Sequence, residues 1–181
     1  MRKTIPIITF ILTLVSCSKD KPAYIPPVAQ LPAETHYGAN TFGCLIDGQI
    51  LKPSLRSNSY NCIYQLVNGE YYFHVTASND KANILTAISI GTEKLQISEG
   101  EILSLEDRIN GKCFGGYFKG NRNTGIIENY YTVPPNTGEL IITKLDFSNN
   151  IVSGTFWFDI EDNQHVIHQI RNGRFDMHFT Q

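Results

Sequence analysis

Alanine is scarce in this chain of 181 residues, with 7 occurrences against 22 isoleucines, and there is one tryptophan. Branched side chains fit a pleated surface, so this balance favours β-structure. Charge of one sign is lacking too. Lys and Arg number 15 against 17 Asp and Glu, a formal net charge of -2, which gives no electrostatic case for binding nucleic acid. The composition excludes collagen, coiled coil and wholesale disorder. Also missing are the G-x-S-x-G elbow, H-E-x-x-H, a phosphate loop and a G-x-G-x-x-G turn after a strand. Paired acids for glycoside cleavage depend on spacing in three dimensions, and with 17 acids the sequence says nothing about them. No reaction and no named ligand is legible in this sequence.

What the chain has is an address. Arg2 and Lys3 precede an apolar run from Ile5 to Val15, eleven residues interrupted only by Pro6, Thr9 and Thr13. A bilayer-spanning helix needs about 20 residues, whereas this length suits a signal-peptide core. The run ends in Leu14-Val15-Ser16-Cys17, which resembles the bacterial lipobox. That resemblance implies cleavage after residue 16 and a covalent lipid on Cys17, whose thiolate is the acylated nucleophile. Buried acyl methylenes, at about 0.8 kcal/mol each, then hold the protein on a membrane. The competing reading is an ordinary secretory signal with a coincidental cysteine. Ser18, rather than Asp, follows Cys17, so the outer membrane is expected. Ser18-Lys19-Asp20-Lys21 is a weak likeness of a surface-export signal, and periplasmic or surface exposure stays open. Cleavage removes Arg2 and Lys3 from the 15 basic residues, leaving 13 against 17 acidic and a charge of -4.

Residues 17–36 hold Pro22, Pro26, Pro27 and Pro32, half of the 8 prolines, and read as a lipidated tether of extended geometry. Tyr24-Ile25 is the alternative, an edge strand. Residues 37–181 read as one β-rich domain. Short β-prone runs cover residues 42–46, 49–51, 61–67, 70–77, 84–90, 112–119, 126–132, 139–147, 151–161 and 166–179. A further run at 101–105 reads as a strand or a helical turn, and a bulge is expected at Gly173. Asp47-Gly48 and Asn68-Gly69 are hairpin signatures, because both residues tolerate positive φ. About ten antiparallel strands make a β-sandwich, with a lipocalin-like β-barrel as the alternative.

Three segments carry a further resemblance: residues 31–35 (LPAET) with 38–44 (GANTFGC), residues 151–156 (IVSGTF) and residues 173–176 (GRFD). With the lipobox, they resemble an uncharacterised family of Bacteroidota lipoproteins, a domain of unknown function. The resemblance implies an all-β envelope lipoprotein and supplies no catalytic residue.

Cys44, Cys62 and Cys113 remain after Cys17. An oxidising envelope permits one disulfide, and Cys44–Cys62 is the preferred pair because neighbouring hairpins often pack together. Three buried free thiols are the alternative. The spacings do not suit a metal. His165 and His168, three apart on a strand, point to opposite faces and read as solvated. Glu161-Asp162-Asn163 lacks the order of a calcium loop and reads as a polar turn.

Alternation places Phe156, Phe158 and Ile160 in the core and Trp157 on the polar face. Likewise Tyr71, Phe73 and Val75 face inward, leaving Tyr72 and His74 outside. Phe175, Met177 and Phe179 are inward, with Arg174 and Asp176 outward. If these polar faces adjoin, Trp157 and Tyr72 form an aromatic platform for a sugar ring or a protein hot spot. Trp157 packed beneath a loop is the bland alternative. Arg174, Asp159 and Asp176 read as structural ion pairs across strands, with Arg174 matched to Asp159. The expectation is a non-enzymatic, membrane-anchored module that binds an envelope glycan or protein, with no cofactor beyond its lipid. A barrel carrying a small apolar ligand comes second, and a carboxylate-dependent hydrolase third.

Overall fold

A computed structural model describes residues 25–54, 59–81 and 83–181. The expected signal segment, Cys17 and the first part of the expected tether lie outside the described residues. Among the described residues there are eleven strands: β1 (Thr41–Ile46), β2 (Gln49–Leu51), β3 (Tyr60–Val67), β4 (Glu70–Lys81), β5 (Ile84–Glu93), β6 (Ile102–Leu105), β7 (Lys112–Asn121), β8 (Ile126–Tyr131), β9 (Gly138–Asp146), β10 (Ile151–Glu161) and β11 (Ile167–His178). No α-helix occurs among the described residues, where the one helical element is a 3-10 turn at Pro27–Gln30.

The strands form one sheet in the order β2-β1-β11-β10-β9-β6-β7-β5-β4-β3, with β8 paired to β7. Pairing between the named strands is antiparallel, save for a parallel register of β6 on β7 at Leu105 and Cys113. Hairpin chemistry sets the local register. Asp47 and Gly48 take φ of 50° and 77°, Asn68 and Gly69 take 52° and 82°, the left-handed values that a tight two-residue hairpin requires.

Alternating apolar side chains fill the space where the sheet folds back on itself. Phe73 of β4 lies 6.1 Å from Phe175 of β11, and Tyr64 of β3 lies 5.8 Å from Phe179. Val75, Ile88, Ile142, Phe158 and Ile170 are sealed from solvent within this core. Closure stops short of a barrel. A bridge between Ile63 and Thr180 brings β3 to the end of the chain, but β1 and β2 continue beyond β11 and the sheet stays open. The architecture is an all-β, sandwich-like open sheet.

The thiols correct one expectation. Cys44, Cys62 and Cys113 are buried and free, with no Cys44–Cys62 bridge. The hairpins carrying the two residues are neighbours in sequence but do not pair with each other: β1 pairs with β2 and β11, and β3 with β4. Burial pushes all three thiols upward, Cys113 to about 12, so they behave as small apolar side chains.

Candidate functional site

The Pro-rich segment ends as part of the domain. Leu31 is buried, and the strap that follows lies on the outer face of β10 and β11, held by Asp176. One carboxylate oxygen of Asp176 accepts from Thr35 Oγ1 at 2.6 Å and from the Tyr37 and Ala39 amides at 3.2 and 2.9 Å. The other accepts from the Gly38 amide at 2.9 Å and from Ser153 Oγ at 2.8 Å. Gly38 makes this turn at φ 78°, with its missing Cβ where the His178 ring sits. Burial alone would raise the Asp176 carboxyl, but these donors outweigh it and leave it at about 2. Asp176 is thus a buried anchor, 1% exposed, and not the surface ion-pair partner that alternation suggested.

Trp157 faces outward from β10 and is 42% exposed. Its surroundings come from an irregularity in the ladder. Phe156 pairs with Gly173 and Phe158 with Ile170, so Arg171 and Asn172 together oppose Trp157 in a bulge. Asn172 takes a positive φ of 53° to make it. Gly173 allows the close approach, since a Cβ there would meet the Phe156 ring at 2.3 Å. Through the bulge Arg171 reaches Asp159, at 2.6 Å, while its guanidinium stands 5.4 Å from the indole centroid. It also donates to the carbonyls of Phe158 and Ile170.

Arg171 therefore takes the place assigned to Arg174. Arg174 pairs with Thr155 in the ladder, four residues along β10 from Asp159, about 13 Å at strand rise. Its Nη1 lies 3.8 Å from Glu34 and 3.4 Å from the Pro32 carbonyl, and its Nε is 3.4 Å from the Asn172 carbonyl. All three are long contacts, so the guanidinium keeps spare donor capacity.

Between Arg174 and Trp157 a groove of about 310 Å³ opens on the outer face, walled also by Glu34, Glu139, Thr155 and Asn172. Glu139 stands opposite Trp157 on β9, and among the described residues its carboxylate has no partner. Arg171 is not part of the wall, so it covers one side of the indole and leaves another to the groove. Alternation could flag Trp157. Nothing in the sequence pointed to Glu34, Glu139 or Asn172, which reach the groove through the strap, the β9 register and the bulge.

Tyr72 does not join this site. It sits half-buried on β4 opposite Gln65, and β9, β6, β7 and β5 intervene between β10 and β4. The expected Trp157–Tyr72 platform is not formed. The outer face near β4 carries a different cluster, in which Arg108 lies 5.2 Å from the Phe114 ring and 4.8 Å from the Tyr131 ring. Arg108 also donates to Tyr131 Oη at 2.6 Å and to Glu93 at 2.9 Å. His74, whose ring is 6.4 Å from Phe114, is pushed down by burial and by the Arg108 charge.

At one end of the sheet, His168 lies between Asp47 at 2.7 Å and Asp162 at 3.2 Å, against the Tyr117 ring. Partial burial would lower it, but the two carboxylates outweigh this and raise it. It is a paired histidine, not a solvated one. Asp162 accepts from the amides of Gln164 and Val166, the geometry of a polar turn. Among the described residues no group of three or more His, Cys, Asp or Glu is placed to hold a metal ion, and no helix is long and apolar enough to cross a membrane. Comparison with protein-family models, with curated proteins and with solved structures brings no match.

Proposed function

We propose that this chain is a membrane-anchored envelope lipoprotein whose domain binds a glycan in the groove beside Trp157. The observation that carries this reading is the juxtaposition of an open indole with an unpaired carboxylate, Glu139, and a loosely held guanidinium, Arg174. A sugar ring has an apolar C–H face that stacks on an aromatic, and hydroxyls that both donate and accept. A groove of about 310 Å³ is at the small end of ligand sites, scaled to one or two rings. A protein hot spot instead seats its aromatic anchor in a desolvated, well-packed patch, whereas this indole has a polar, open rim.

The lipobox at Cys17 and the Pro-rich tether support attachment to the outer membrane, in the manner of the Bacteroidota lipoproteins the sequence resembles. Cys17→Ala should abolish lipid labelling of the expressed chain. Glycan-array binding that is lost in Trp157→Ala, with no turnover of the bound glycan, is the expected result for the domain. Turnover that disappears in Glu139→Gln would instead mark a carboxylate-dependent hydrolase.

A second reading is favoured by one feature, a cavity of about 480 Å³ at the His168 end. Alternate residues of β4 and β5, Asn79 with Lys81 and Ile84 with Thr86, line it beside Ile46 and Tyr117. Ile50 and Leu51 add apolar wall and Asp47 and Gln49 add polar wall, so the cavity suits a small ligand with an apolar body and polar groups. Organic extraction of the purified protein, followed by mass spectrometry, detects such a ligand.

A further inference from the structure

We infer that the Trp157 groove selects an uncharged pyranoside, with Glu139 accepting from one sugar hydroxyl and Arg174 donating to another. The inference rests on the glycan reading above and names the class of sugar. Its first support is the division of labour along the groove. An ionised carboxylate is acceptor only and a guanidinium is donor only. Two hydroxyls of one saccharide satisfy both, one donating to Glu139 and the other accepting from Arg174. Neither protein group has to be stripped of a strong partner first, because Glu139 has none among the described residues and the Arg174 contacts are 3.4 to 3.8 Å.

Charge supplies the second support. The ionised side chains lining the groove are Glu34, Glu139 and Arg174, which leaves the wall one negative charge in excess. The nearby Arg171 cation does not offset it, being paired with Asp159 at 2.6 Å. A uronate or sulfated sugar would therefore bring its anion toward Glu139 and Glu34 while losing hydration, and like-charge juxtaposition is an effective device for rejecting a wrong partner. A neutral ring meets no such barrier.

Asp176 contributes as a positioning residue. It holds the strap that bears Glu34 at the rim, so the groove has its full wall only while the strap is docked.

The chain contains one tryptophan, so its emission reports on this groove alone. The full chain is titrated with neutral oligosaccharides (gluco-, galacto- and manno-configured) and, in parallel, with oligouronates of matching length. Saturable change in emission with at least one neutral series is expected, with the uronates at least about tenfold weaker, roughly the discrimination of a single charged hydrogen bond. Glu139→Gln should weaken the neutral series by about tenfold on the same grounds, and Glu139→Lys should admit the uronates. Uronates that bind the native chain as well as the neutral series do, or better, overturn the selectivity while leaving the glycan reading in place. If neither series changes the emission, and a soluble quencher still reaches the indole, the glycan reading itself falls.

Discussion

Two places on the outer surface set a guanidinium against aromatic rings, and they differ in what is left over. Around Arg108 the groups close on one another. Two rings flank the cation, Glu93 and Tyr131 accept short bonds from its Nε and Nη1, and the cavity beside Tyr131 holds only about 40 Å³. Around Arg171 the same chemistry is also satisfied, by Asp159, two carbonyls and the indole. There, however, the bulge opposite Trp157 and the strap held by Asp176 leave a groove with an unpaired Glu139 and a weakly engaged Arg174. A stacked arginine is thus structural in both places. What separates a candidate site from a surface staple is the uncommitted donor and acceptor beside it.

That contrast breaks most severely at Asp176. Asp176→Ala strips the acceptor from part-buried strap amides and from the Thr35 and Ser153 hydroxyls, and should cost about 3 kcal/mol in urea unfolding. It should also shift Trp157 emission as Glu34 departs, without disturbing the Arg108 cluster. Acid should produce a smaller loss. The folded carboxyl lies at about 2, below the unfolded value of about 3.9. Its stabilisation is therefore complete above the unfolded value and disappears as pH falls through the folded one. The difference amounts to about 2 kcal/mol, measured by denaturant titration from about pH 5 to pH 2 and absent from Asp176→Asn. Arg108→Ala sharpens the comparison from the other side. Its loss should be about 1 kcal/mol, the scale of an exposed cation–π and ion-pair cluster, with tryptophan emission and saccharide affinity unchanged. The smallest effect belongs to His168, outside both regions. Its folded pKa is raised, so its contribution is complete below the unfolded value near 6.5 and lost as pH rises through the folded one. Thermal melts at rising pH should show this loss, and His168→Asn should remove it.

Local pattern carried much of the fold. Strict alternation in residues 155–161 put Phe156, Phe158 and Ile160 on one side and Trp157 on the other, because a strand has only two faces. The two-residue turns at Asp47-Gly48 and Asn68-Gly69 were equally legible, since few residues accept their φ values. Long-range placement was not. Whether Trp157 and Tyr72 share a surface depends on strand order, which no single strand records. The Arg174–Asp159 pairing failed because the bulge beside Gly173 shifts the register and delivers Arg171 instead. A bulge was anticipated there, but its consequence for the opposite strand was not. The prolines suggested a free tether through residue 36, whereas Leu31 and Thr35 dock. Leu31 docks by burying its apolar side chain, and Thr35 by donating to the carboxylate of Asp176, which alternation read as an outward charge.

Quenching of the single tryptophan, with and without a neutral oligosaccharide mixture, tests the central claim most directly. An open indole in a sugar-binding groove gives red-shifted emission that acrylamide quenches readily, and the saccharide should protect it. Blue-shifted emission indifferent to quencher, or ready quenching that no saccharide reduces, would contradict the assignment of the Trp157 groove as a glycan site.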